Sequence, residues 1–143
     1  MKHALAAITL AAGLAGLAAA PAALAAGEKA MTHAVIQVSD DDPAKWNLAL
    51  NNAENMQQAL GKDKVTIEIV AYGPGLNMLK ADSKVAPRLN AALDSSVELA
   101  ACATTMKKMK VTKADLVGGA TVVPGGVIEI MKRQSEGWSY IRP

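Results

Sequence analysis

Residues 33–141 predict an α/β domain built on a mostly parallel sheet with helices on both faces. Three observations carry this prediction. Short runs rich in Val, Ile and Ala alternate with longer stretches whose apolar residues recur at three- and four-residue steps. Gly, Pro and Asp cluster between these segments, where turns are needed. No internal repeat or interdomain linker breaks the alternation, and strands joined through helices within one unit pair in parallel.

The first strand is His33-Ala34-Val35-Ile36-Gln37-Val38, short and β-branched as a buried strand should be. Asp40-Asp41-Asp42-Pro43 follows, placing acidic cap candidates directly before a proline suited to a first helical turn. The helix runs from Pro43 to Leu60 and stops at Gly61, with Trp46, Leu50, Ala53, Met56 and Leu60 forming its core stripe. Its opposite side carries Asn47, Asn51 and Asn55 at four-residue steps, beside Asn52. Asparagine costs about half a kcal/mol at each helical position. Solvent or a subunit interface explains such a stripe, and the interface is the preferred expectation.

Val65–Ala71 forms the second strand, closed by the turn Tyr72-Gly73-Pro74-Gly75. Short helical segments are expected near 76–79 and over 85–93. The third strand is Val97-Glu98-Leu99-Ala100-Ala101, with Cys102 at its end and a helix over 104–109. The fourth strand, 120–123, leads through Pro124-Gly125-Gly126 into a helix over 127–136 capped by Gly137. Trp138-Ser139-Tyr140-Ile141 is the last strand, its two aromatic rings expected to cover the sheet edge.

Ahead of this domain, Met1-Lys2-His3 precedes an uncharged stretch of Ala, Leu and Gly from Ala4 to Ala26, interrupted by Thr9 and Pro21. A basic start, an apolar segment, a proline break and the small-residue site Ala23-Leu24-Ala25 are the parts of an export signal. Residues 1–25 are therefore expected to be a signal peptide and 26–143 a single exported, periplasmic domain. An uncleaved anchor is the alternative, since the apolar run is long enough for a bilayer of ~30 Å; once the signal is removed, no membrane association is expected.

The chain holds 15 basic and 13 acidic residues, of which only Lys2 lies in the leader. This near balance, with 3% aromatics and no Phe, lacks both the basic face and the stacking platforms of nucleic-acid binders. A single cysteine rules out a disulfide framework.

In a parallel sheet, ligands gather where strands end and helices begin. Four such ends bear distinctive residues: Asp40 to Asp42; Gly73 and Gly75; Cys102, Thr104 and Thr105; Gly125 and Gly126. A pocket lined by these is the expected site. Gly73-Pro74-Gly75 lacks the third glycine of a dinucleotide loop, and Pro74 has no N–H for a phosphate, so no nucleotide cofactor is expected. Gly125-Gly126 suits either an anion cradle or a close backbone approach.

Cys102 is the candidate reactive residue. A thiol entering a helix feels the positive end of its dipole, which favours the nucleophilic thiolate. Burial as a small hydrophobe beside Ala100, Ala101 and Ala103 is the competing assignment. Met106 and Met109 lie at helical spacing from Cys102 and would suit a cuprous ion, but methionines so placed are usually core and no metal is expected. Asp40 to Asp42 are expected to cap the first helix, and His33 to be structural.

Taken together, several segments resemble the DsrE/DsrF-like family of small sulfur-relay proteins. They are Leu50-Asn51-Asn52-Ala53-Glu54-Asn55, Ile67 through Leu76, Ala101 through Met106, Val123 through Ile130, and Gln134 through Ile141. The resemblance implies a three-layer α/β/α domain with a five-stranded sheet, assembled as a homo-oligomer, trimer or hexamer. It also implies that Cys102 carries persulfide sulfur between a donor and an acceptor, either a protein or a small sulfur compound, as a carrier or thiol-redox protein rather than a turnover enzyme. An oligomeric ligand-binding or structural protein with an inert Cys102 is the alternative.

Overall fold

The computed structural model describes residues 30–143, so the expected signal peptide lies outside the described residues. Five strands form one sheet: β1 (Thr32–Val38), β2 (Val65–Ala71), β3 (Glu98–Cys102), β4 (Thr121–Val123) and β5 (Ser139–Ile141). Their order is β4-β3-β2-β1-β5, and every pairing is parallel.

Four helices connect them: α1 (Pro43–Leu60), α2 (Ala86–Asp94), α3 (Ala103–Met109) and α4 (Gly126–Ser135). The path from β1 to β4 steps always to the same side, so right-handed crossovers put α1, α2 and α3 on one face. The return from β4 to β5 crosses back over the sheet and puts α4 alone on the other. The result is the three-layer α/β/α arrangement expected from the sequence.

The two faces differ in what they bury. Ile36, Ile67, Ile69 and Leu99 point toward α1 and α2 and join Trp46, Leu50, Leu76 and Leu89 in the main core. Side-chain alternation sends Val35, Val70 and Ala100 to the other face, where Ile130 of α4 meets them in a much smaller cluster. The central strand β2 is buried along nearly its whole length, as a strand covered on both sides must be.

Local boundaries follow identifiable causes. Asp42 caps α1, its Oδ1 accepting from the Ala44 N–H at 2.8 Å, and Pro43 begins the helix. Gly61, at φ 97°, ends it in a conformation that disfavours a side chain. The segment Gly73–Leu79 is a single 3-10 stretch, longer than the piece expected over 76–79. Gly75 explains the tight entry: a Cβ there would lie 2.4 Å from the Val38 carbonyl oxygen.

The asparagine stripe of α1 finds its partner inside the chain. Arg88 of α2 donates to Asn47 Oδ1 at 2.7 Å, to Asn51 Oδ1 at 2.9 Å and to Glu54 Oε1 at 2.6 Å. Asn47 and Asn51 therefore clamp α2 onto α1, a role within the chain that spacing alone did not predict. Spacing alone shows that residues share a face, not that an arginine 37 positions away from Asn51 will meet them.

Candidate functional site

Cys102 is the last residue of β3 and the residue from which α3 begins. It is 5% exposed. Strand alternation sets it on the Ala100 side of the sheet, facing the start of α4. Cα register pairs it with Val123 of β4. The starts of α3 and α4 thus meet at Cys102, and the turn after β2 reaches α3 through Thr105.

The sulfur's surroundings decide its protonation. Burial alone pushes the thiol up, because a buried thiolate loses its hydration. The Thr105 hydroxyl and the N–H groups of Thr105, Gly126 and Thr104 outweigh this and hold the Cys102 thiol below its ordinary value. None of the α3 amides makes a conventional capping bond to the side chain. The effect is that of several N–H dipoles and one hydroxyl gathered around a single atom.

Two adjacent threonines brace this arrangement. Thr105 Oγ1 accepts from the Gly73 N–H at 2.9 Å. Thr104 Oγ1 donates to the Pro124 carbonyl at 3.1 Å. The start of α3 is thereby tied to both neighbouring loops. Gly126 completes the brace by close packing: a Cβ on it would lie 2.7 Å from Tyr72 Cβ and 2.8 Å from Cδ1. Only glycine lets α4 begin against the Tyr72 ring, and that contact places the Gly126 amide beside Cys102. Burial pushes the Tyr72 phenol up from its ordinary value, and Tyr140 nearby adds to this.

The residues anticipated for the site divide into groups. Thr104, Thr105 and Gly126 act on Cys102, Gly73 is tied to it through Thr105, and Gly125 lies one residue back as the α4 cap. Gly75 is buried under the Val38 backbone. Asp40 lies beyond β1, two strands from β3. There its carboxylate pairs with Lys45 Nζ at 2.9 Å and its carbonyl accepts from Trp46 Nε1 at 2.7 Å. The Lys45 contact holds the Asp40 carboxyl below its ordinary value. Asp40, Lys45, Ser39 and Arg142 line a cavity of about 10 Å³, room for a single water, at the β1/β5 switch point. Of the three aspartates only Asp42 caps α1; Asp41 accepts from Asn77 Nδ2 at 2.9 Å.

The soft-metal grouping does not assemble. Met106 packs into the main core, on the face opposite Cys102, while Met109 is 37% exposed. No group of three or more His, Cys, Asp or Glu suited to a metal occurs among the described residues.

A larger opening reaches Thr105 without being lined by Cys102 itself. Tyr72, Gly73, Pro74, Asn77, Thr105, Lys108 and Met109 line an open groove of about 570 Å³ between the 73–79 segment and α3. Tyr72 and this groove escaped the sequence reading; the signal available was Tyr72 standing at a strand end beside Gly73.

A second cluster was also missed. Glu68 of β2 is 2% exposed and receives Arg133 of α4 through Nε to Oε2 at 2.7 Å and Nη2 to Oε1 at 3.3 Å. Glu129 lies 3.0 Å from the same guanidinium, which also stacks 4.4 Å over the Trp138 ring. Trp138 in turn packs on His33, with ring centroids 5.1 Å apart. The His33 Nδ1 is buried there with no hydrogen-bond partner among the described residues.

The family model of the DsrE/DsrF-like family matches residues 11–143. The chain belongs to the DsrE/DsrF-like family. Among solved structures, this DsrE/DsrF-like chain resembles a protein of unknown function from Methanobacterium thermoautotrophicum. The two share 35% identity and a TM-score of 0.75, over 78% of this chain and 99% of that one. A conserved protein of unknown function from Bacteroides thetaiotaomicron shares the fold at 17% identity and a TM-score of 0.62, over 78% of this chain and 94% of that one. Among curated protein sequences nothing matches the chain. No helix among the described residues is long and apolar enough to cross a membrane.

Proposed function

We propose that this DsrE/DsrF-like protein is an exported sulfur carrier or thiol-redox protein that works through Cys102. The observation that carries the proposal is the position of Cys102, at the carboxyl end of β3 where α3 begins and in register with Val123 just ahead of α4, in surroundings that hold its thiol below the ordinary value. Such surroundings favour the thiolate, which is the nucleophilic form. Family membership points the same way, toward sulfur relay.

The step is a sulfur transfer without net oxidation. The Cys102 thiolate attacks the outer sulfur of a donor persulfide R–S–SH. A bond forms between Cys102 Sγ and that sulfur, the donor's S–S bond breaks, and R–S⁻ leaves. The resulting Cys102 persulfide passes its outer sulfur to an acceptor thiolate by the same reaction. Export of residues 26–143 after loss of the signal, and assembly as a homo-oligomer, belong to this proposal.

The test is incubation with a sulfane-sulfur donor followed by intact mass measurement. A gain of about 32 Da, one sulfur atom, is expected on the native protein and not on Cys102→Ser. The 5% exposure of Cys102 favours a second reading, a ligand-binding or structural oligomer with an inert thiol. Native alkylation separates the two, since no labelling before denaturation would leave only the second. N-terminal sequencing of protein recovered from the periplasm, with a start at residue 26 expected, tests export.

A further inference from the structure

The groove that ends at Thr105 has a chemistry of its own. Its walls are largely apolar, formed by the Tyr72 ring, Pro74 and Met109. Asn77 already donates to Asp41 through Nδ2. Lys108, the cation of the lining, makes no salt bridge among the described residues. Thr105 belongs to both the groove and the thiol's surroundings, since its hydroxyl acts on Cys102. A volume of about 570 Å³ falls in the range of small-molecule sites.

We infer that this groove binds the sulfur donor, and that the donor is a low-molecular-weight organic persulfide with an apolar body and an anionic group. This rests on the carrier role proposed above for Cys102. The apolar body lies against Tyr72, Pro74 and Met109, the carboxylate or sulfonate meets Lys108, and the sulfane sulfur is delivered past Thr105. Charge complementarity selects the class: an inorganic polysulfide offers nothing for the apolar wall, and a cationic thiol would meet Lys108 unfavourably. The transfer is the balanced exchange already given, with R–S⁻ leaving through the groove.

The full chain, purified after export, should be loaded with N-acetylpenicillamine persulfide, with its methyl ester and with inorganic polysulfide. Loading from the acid is expected to exceed that from the ester by about fivefold, the scale of one exposed ion pair. Lys108→Glu should abolish that preference, and Met109→Asp should slow both organic donors while leaving polysulfide unchanged. Equal loading by acid and ester in the native protein would overturn the inference. Binding is read separately, by amide shifts of Thr105, Lys108 and Met109 in Cys102→Ala protein exposed to the S-methyl thioether of the same acid, which cannot transfer sulfur. Shifts there without sulfur loading would refute the carrier role alone; loading without shifts would refute the groove alone.

Discussion

The Gly73 amide donates to the Thr105 hydroxyl at 2.9 Å, which leaves the hydroxyl proton free, and Thr105 is the side chain that lowers the Cys102 thiol. A hydroxyl has one proton and two acceptor lobes. With Gly73 filling a lobe, the proton is left for the sulfur. Thr105→Val keeps the shape and removes the donor. A hydrogen bond to a charged group is worth roughly 1.5–3 kcal/mol, so alkylation of Cys102 at neutral pH should slow by about tenfold or more. Thr105→Ser should retain most of the rate. An unchanged midpoint in a thiolate absorbance titration of Thr105→Val would refute this role.

The same depressed thiol sets a pH dependence. Between the lowered folded value and the ordinary value of 9.0, the unfolded chain binds more protons at Cys102 than the folded protein does. Stability from this group is therefore present above the ordinary value and is lost as pH falls through the folded one. Denaturant midpoints of native protein should rise over that window relative to Cys102→Ala. Parallel curves would contradict the assignment.

Gly126→Ala tests the packing brace. The added carbon would meet Tyr72 at 2.7 Å, and relief requires α4 or the ring to move. A destabilisation of about 1–3 kcal/mol is expected, with slower alkylation because the Gly126 amide leaves the sulfur. The double variant Gly126→Ala with Tyr72→Ala should recover stability. If it does not, the ring is not what α4 meets.

Arg133→Ala removes the counterion of a carboxylate that is 2% exposed. Burial already pushes the Glu68 carboxyl up from its ordinary value, against the pull of Arg133. Stranding it should cost about 3–5 kcal/mol. With the folded value raised further, the variant should be most stable in acid and lose stability as pH rises through that value. Adding Glu68→Gln should remove the pH dependence; thermal melts across pH decide it.

Arg88→Ala releases α2 from Asn47, Asn51 and Glu54. The site is half open to solvent, so a loss of about 1–2 kcal/mol is expected. That corresponds to a fall in Tm of roughly 4–16 °C for a domain of this size. A melt unchanged within error would show that the asparagines serve something other than Arg88.

Much of this architecture is legible because it is written locally. Trp46, Leu50 and Ala53 announce the α1 face by periodicity, and Asp42-Pro43 announces its start. The strand limits held to within a residue or two, and Cys102 stood at the strand end as expected. The Glu68–Arg133 pair was not legible, for its members lie 65 residues apart. A carboxylate in β2 reads as an interruption until the return of α4 supplies its partner. Tyr72 was hidden for the same reason: its importance comes from Gly126, 54 positions later, and no spacing rule links them. The capping box of Thr112 and Asp115, by contrast, lay in plain view at a three-residue step and was overlooked.

The reversal of strand order after β4 leaves one face of the sheet to α4 alone. A helix of ten residues has no appreciable stability by itself and, with no lateral neighbour among the described helices, holds mainly through the strands beneath it and the loops at its ends. Its detachment is expected as a sub-global opening, costing less than unfolding the three-helix face. Because Gly126 begins this helix, amide exchange along α4 and alkylation of Cys102 are expected to rise together when α4 is destabilised. On that expectation the thiol's shelter has the lifetime of a single helix, not of the domain.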